Sequence, residues 1–209
     1  MKIHISLDTP DLEHALALIN STQPYIDAIH IGPLLLYKYG ISIIDTFKTA
    51  HSDTSILIDT AIVNDGKKLV SLFNAHQPQW ITVMAGAGNQ TIHATTSSAH
   101  TTRIKVMMNL LDSASIGQSA MEAERLDVDA LIFHQPYDPE DPLLFMDRWD
   151  MVKENTKLPI FIATTVTREN IQEIVSLNPH GIIIGSAAFD TKKPEVEAQF
   201  FYEKSNRSE

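Results

Sequence analysis

The chain has 209 residues, 44% of them hydrophobic, no cysteine and a formal net charge of −10. That is enough apolar material for one core and a single domain over residues 1–209, while the missing cysteine excludes disulfides and thiolate metal sites. The acidic balance, without any Lys/Arg cluster, argues against nucleic acid and anionic membrane surfaces as partners; no apolar run reaches the ~18 residues of a membrane span, and without an apolar leader the expected location is cytoplasmic.

Eight short apolar runs follow one another, at residues 3–7, 28–31, 56–58, 80–84, 104–108, 130–133, 159–163 and 181–184. Each has the length of a strand. After the first, Thr9-Pro-Asp-Leu-Glu reads as a helix start, with Thr9 as N-cap and Pro10 at the first helical position. Helix-like segments lie between the runs, among them residues 11–19, 67–75, 113–126, 168–177 and 195–203, and the tail 205–209 reads as frayed. Strict alternation of this kind implies parallel strands joined by helical crossovers. Successive runs start roughly 25 residues apart, the length of one βα unit, and eight units close a (β/α)8 TIM barrel. An open doubly wound sheet is the competing fold, but no Gly-x-Gly-x-x-Gly follows the first strand.

In such a barrel the chemistry sits where the strands end, so the polar residues closing each run are the candidates. They are Asp8, His30, Asp59, Asn109 and His134, with Gly86 and Gly88, Thr164 and Thr165, and Gly185 and Ser186 at the other corners. Period-2 alternation places Asp8 with Ser6, His30 with Ala28, Asp59 with Leu57 and His134 with Ile132, so that all can face the barrel mouth. A lone Asp or His at a strand end is ordinarily a turn or cap residue, and it is the convergence from separate strands that points to a site. A phosphorylated small molecule is compatible with the net charge, because a local nest of backbone N–H groups binds an anion regardless of the global field. Tyr137, Trp149, Met107, Met108 and Met146 read as core or interface packing.

Several stretches carry a family resemblance. Ile5-Ser-Leu-Asp-Thr-Pro-Asp-Leu-Glu, Ile29-His-Ile-Gly-Pro-Leu-Leu, Ile81-Thr-Val-Met-Ala-Gly-Ala-Gly-Asn-Gln-Thr-Ile and Phe133-His-Gln-Pro-Tyr-Asp fall in order at the expected strand ends. Together they resemble 3-hexulose-6-phosphate synthase and 3-keto-L-gulonate-6-phosphate decarboxylase, of the orotidine phosphate decarboxylase barrel group. The resemblance implies a carbon–carbon lyase acting on a phosphorylated ketose through an enediolate, as a homodimer. It assigns catalysis to Asp8, Asp59 and His134, and substrate binding to His30, Asn64, Asn109, Thr164, Thr165, Gly185 and Ser186. It also implies a divalent metal held at Asp59 and His30.

The match breaks at the functional residues themselves. Where the family has Asp-x-Lys-x-x-Asp, this chain reads Asp59-Thr-Ala61-Ile-Val-Asn64, so the ammonium that faces the enediolate is gone. A fixed cation beside a developing oxyanion supplies several kcal/mol of barrier reduction. Lys67 and Lys68 follow and read as solvated surface lysines. The family's metal-holding Glu is His30, a donor that favours Zn²⁺, Mn²⁺ or Fe²⁺ over Mg²⁺. Its acidic residue on the fifth strand is Asn109, which hydrogen-bonds but is no base, whereas His134 matches a histidine associated with proton handling. The phosphate loops read Ala163-Thr-Thr-Val and Gly185-Ser-Ala-Ala, with the glycines of the first lost. These departures leave a second expectation, a barrel that has lost the parent chemistry and binds a metabolite or protein partner. A mouth plugged by Met84, Met108 or Phe189 would favour that second expectation.

Overall fold

A computed structural model describes residues 1–138 and 140–206. Its strands are β1 (Lys2–Leu7), β2 (Ala28–Ile31), β3 (Ser55–Ile62), β4 (Trp80–Met84), β5 (Lys105–Asn109), β6 (Ala130–His134), β7 (Ile160–Ala163) and β8 (Gly181–Gly185). They follow one another in chain order around a closed barrel, which makes the fold a (β/α)8 TIM barrel. Its helices are α1 (Leu12–Thr22), α2 (Pro33–Tyr39), α3 (Ile43–Ala50), α4 (Gly66–Leu72), α5 (Asn89–Thr101), α6 (Ile116–Ala123), α7 (Pro142–Lys153), α8 (Ile171–Ser176) and α9 (Pro194–Asn206). No helix among the described residues is long and apolar enough to cross a membrane. The chain divides into two compact units, Met1–Asp59 with Thr165–Glu209, and Thr60–Thr164.

In the first unit β8, β1, β2 and β3 run side by side, with Gly185 opposite Ser6, Ser6 opposite His30 and His30 opposite Leu57. Ile5, Ile29, Ile58 and Ile184 are wholly buried, as a strand covered on both faces requires. Helix α1 starts later than Thr9-Pro10 promised. Its N-cap is Asp11, whose carboxylate accepts the His14 N–H at 3.1 Å, while the Thr9 hydroxyl accepts the Asp11 N–H. The carboxylate is the stronger acceptor for a free first-turn N–H, so it sets the start. Between β2 and β3 the chain makes two helices rather than one, broken at Gly40, whose φ of 70° lies in the left-handed region. Phe189 lies edge-on against Phe201 of α9, ring centroids 5.9 Å apart. It is thus part of the helix packing and does not plug the mouth. Helix α9 takes in Ser205, which is buried, and Asn206, so the expected fraying does not begin at 205; residues 207–209 lie outside the described residues.

His51, at the C-terminal end of α3, is buried, and both its ring nitrogens lack a partner among the described residues. Burial pushes its pKa down, so the ring stays neutral, yet one N–H must remain unsatisfied. A buried donor without an acceptor costs about 1–3 kcal/mol. His51→Leu is therefore expected to raise unfolding free energy by about 1 kcal/mol in a denaturant titration. A loss of stability would contradict the assignment.

In the second unit β4 to β7 are paired in register, Met84 with Asn109, Asn109 with Ile132 and His134 with Ala163. Phe133 meets Phe145 and Trp149 edge-on, and Tyr137 does the same to Phe145. Each such pair adds about 0.5–1.5 kcal/mol beyond the area buried. Trp149, Met107 and Met108 are buried and Tyr137 and Met146 half-buried, consistent with packing. Met84 is buried as well.

Candidate functional site

The strand ends of the first unit hold a prepared carboxylate. Asp8 follows the last residue of β1 and is exposed to solvent. The Ser6 hydroxyl donates to Asp8 Oδ1 at 2.9 Å, and the Asp8 N–H donates to Ser186 Oγ at 3.3 Å. Two glycines make room for it. A Cβ on Gly32 would stand 3.2 Å from Asp8 Oδ1 and 2.7 Å from the Leu7 carbonyl oxygen, and one on Gly185 would stand 3.3 Å from Asp8 Oδ2. Backbone sits on one side and the carboxylate on the other, so neither position accepts a side chain without moving Asp8. The loop after β1 is tied down from α2, where Lys38 Nζ and the Tyr39 hydroxyl both donate to the Pro10 carbonyl.

Beneath this carboxylate lies a histidine pair. His4 Nδ1 and His30 Nε2 are 3.0 Å apart in a buried hydrogen bond. Burial holds His30 down to about 3 and His4 well below its ordinary range, the latter helped by the nearby His30, Lys2 and His180. Both rings are neutral at physiological pH, and one donates its N–H to the bare nitrogen of the other. His30 therefore does not face Asp59 as a free ligand. Among the described residues no three His, Asp or Glu side chains come together as a metal site. The residues do not fit the implied divalent cation, and no step is derived through one.

Asp59 does not close its strand, as β3 runs on to Ile62 and leaves Asp59 half-buried within it. In the second unit the reason is visible at the next residues: Thr60 Oγ1 donates to the Thr82 carbonyl at 2.6 Å and the Ala61 N–H donates to Thr82 Oγ1 at 2.9 Å. Two hydroxyls extend the hydrogen bonding beyond the apolar run. Ala61, standing where the resemblance implies lysine, has a φ of 43°, in the left-handed region. Lys68 is paired with Asp65 at 2.9 Å and Lys67 is exposed, in keeping with surface lysines. Asn64 is exposed in the loop before α4.

The second unit's strand ends bring Asn109 and His134 together, Asn109 Nδ2 lying 3.4 Å from His134 Nδ1. Beside them Gln135, buried, accepts from Arg148 of α7. The Gly86 N–H donates to Asp112 Oδ1 at 2.9 Å, and a Cβ on Gly86 would strike the same carboxylate. Thr164 is half-buried with its hydroxyl lacking a partner among the described residues, and Thr165 is exposed, its carbonyl accepting from Asn170 at 2.8 Å. Reasoning from the sequence missed His4, Gln135, Arg148 and Asp112. For His4 a signal existed, since polar residues recur at positions 4, 6 and 8 of the first run.

The model of the family described as orotidine 5'-phosphate decarboxylase / HUMPS matches residues 1–201. A 3-hexulose-6-phosphate synthase of Staphylococcus aureus is 24% identical over 202 residues, 95% of each chain. Among solved structures, 3-hexulose-6-phosphate synthase from Salmonella typhimurium aligns with a TM-score of 0.88 at 20% identity, covering 98% of both chains. A 3-keto-L-gulonate-6-phosphate decarboxylase from Vibrio cholerae aligns at 0.84 and 21% identity, over 99% of this chain and 97% of that one.

Proposed function

Because the chain belongs to the orotidine 5'-phosphate decarboxylase / HUMPS family, we propose that it is a diverged carbon–carbon lyase, aldolase or decarboxylase, acting on a phosphorylated ketose. The observation that carries this reading is the Asp8 carboxylate, open to solvent yet oriented by Ser6 and given room by Gly32 and Gly185. A surface carboxylate with no task has no need of two glycines and a hydroxyl to aim it.

Cleaving a carbon–carbon bond beside a carbonyl leaves its electron pair on the adjacent carbon, shared with the carbonyl oxygen as an enediolate. The pair then takes up a proton, while the other fragment departs as aldehyde or carbon dioxide. In this reading Asp8 and Asp59 orient the hydroxyls of the substrate, and Gly185, Ser186 and Thr165 meet its phosphate through backbone N–H and hydroxyl donors. His134 handles the proton. With no lysine at 61, the oxyanion relies on hydrogen-bond donors rather than a fixed cation.

A second reading is favoured by Ala61 and by the engagement of His30 with His4: a barrel that binds a metabolite or protein partner without turnover. A screen of phosphorylated ketoses for turnover and for thermal stabilisation separates the two. Turnover by the wild type, reduced about tenfold or more in Asp8→Ala with the fold intact, supports the lyase. Stabilisation by a phosphosugar without turnover supports the second reading, and absence of both discards the phosphosugar for each. Chelator in the same assay tests the metal, and turnover is expected to survive it. Sedimentation velocity tests the homodimer that belongs to the same reading.

A further inference from the structure

Asn109 closes β5 and is buried, and its two amide atoms face two different groups. The Leu111 N–H donates to Asn109 Oδ1 at 3.0 Å. A backbone N–H can only be met by the oxygen end, so this bond decides which way the amide lies. Nδ2 is then the end turned towards His134 Nδ1. Nδ2 carries two hydrogens and no lone pair to offer, so Nδ1 must be the acceptor and cannot carry a hydrogen of its own. In the neutral ring the remaining hydrogen lies on Nε2.

We propose that Asn109 is a positioning residue that holds His134 as the neutral Nε2–H tautomer, so that His134 enters the reaction as a proton donor through Nε2. The inference rests on the lyase reading for its last clause alone; the tautomer follows from the hydrogen bonds. It also accounts for the amide at 109. A carboxylate there would accept rather than donate, draw a hydrogen onto Nδ1 and favour the imidazolium, whose Nδ1 is blocked by the pairing. An amide keeps the ring neutral with its hydrogen on the opposite face. In a chain without a lysine at 61, a neutral N–H donor suits an enediolate oxygen or carbon that must receive a hydrogen, and it completes its task without leaving a base behind.

The test is nitrogen-15 NMR of the histidine ring atoms in the full-length protein above pH 7.5, where neutral rings predominate, with His134 assigned by its loss in His134→Gln. In the wild type Nε2 is expected to show the protonated, pyrrole-like resonance and Nδ1 the bare, pyridine-like one. Asn109→Asp is expected to reverse the pattern, and Asn109→Leu to move the Nδ1 resonance to that of a nitrogen with no hydrogen bond. Wild-type His134 with its hydrogen on Nδ1, or an Nδ1 resonance unmoved in Asn109→Leu, overturns the proposal. Should one variant fail to fold, the wild-type spectrum and the other variant still decide it. On a substrate found by the screen, Asn109→Asp is expected to lower kcat by tenfold or more with KM changed less than twofold, a split that loosened packing would not produce. Equal kcat in the two overturns the donor role. Absence of any substrate removes the lyase reading while leaving the ring spectrum to decide the tautomer.

Discussion

Acidification from pH 6.5 towards pH 3 is expected to cost the protein about 1.4 kcal/mol of stability per pH unit for each histidine of the His4–His30 pair that stays neutral. The sign follows from where protons bind. In the unfolded chain both histidines titrate near 6.5, whereas in the folded one burial holds His30 to about 3 and His4 well below its ordinary range. Below pH 6.5 the unfolded state therefore takes up protons that the folded state refuses, and falling pH favours unfolding. The contribution is complete above 6.5 and is lost progressively on the way to the folded values. Carboxylates add their own acid loss at lower pH, so the informative window lies between 6.5 and 5. There, denaturant titrations of the wild type should show a slope that the double variant His4→Leu/His30→Leu lacks. A wild type as flat as the double variant would mean that the pair is protonated in the folded protein, and the hydrogen bond would have to be drawn differently.

Replacing Gly66 with alanine is expected to cost about 3 kcal/mol, although alanine is the better helix former by about 1 kcal/mol. Gly66 opens α4, after Asp65 at a φ of 49°, and lies against Thr95 of α5. A Cβ there would overlap Thr95 Oγ1 and would stand 3.0 Å from its Cβ and 3.2 Å from its Cα. The first contact is a side chain, but the last is backbone, so rotating the threonine does not relieve it. Thr95 has little freedom in any case, since it is wholly buried and its hydroxyl donates to the Thr91 carbonyl at 2.7 Å. One helix must step back from the other. Thr95→Ala in the same chain should recover part of the loss, because it removes the oxygen and leaves the closer backbone. Strict additivity of the two substitutions in a double-mutant cycle would show that they do not touch.

Most of the barrel was legible because buried parallel strands are written as apolar runs, and each run became a strand. The overshoot of β3 was not, since Thr60 and Thr82 continue the pairing with hydroxyls, and hydroxyl-bearing residues read as the end of a run. The start of α1 was misjudged for a related reason: Thr9 and Asp11 are both cap formers, and only geometry shows which oxygen reaches the His14 N–H. Asp8 was found by its place at a strand end, yet nothing in a linear reading shows that Gly32 and Gly185 leave space for it from two other strands. His30 was read with Asp59 because their positions imply a metal. Its actual partner, His4, sat hidden within the first apolar run, where one polar residue among isoleucines looks like an interruption rather than half of a pair. The part of the site that sequence cannot supply is thus the choice of partner among groups of similar chemistry.

The hydrogen shared by His4 and His30 has one more property. It sits in the interior between β1 and β2, where solvent does not reach, and both rings are too weakly basic to pull in a second proton. Its exchange with deuterium therefore waits for the two strands to part. A single ring resonance becomes a clock for the opening of this half of the barrel, built into the chain without any label attached, and its rate reports how often the native structure breathes.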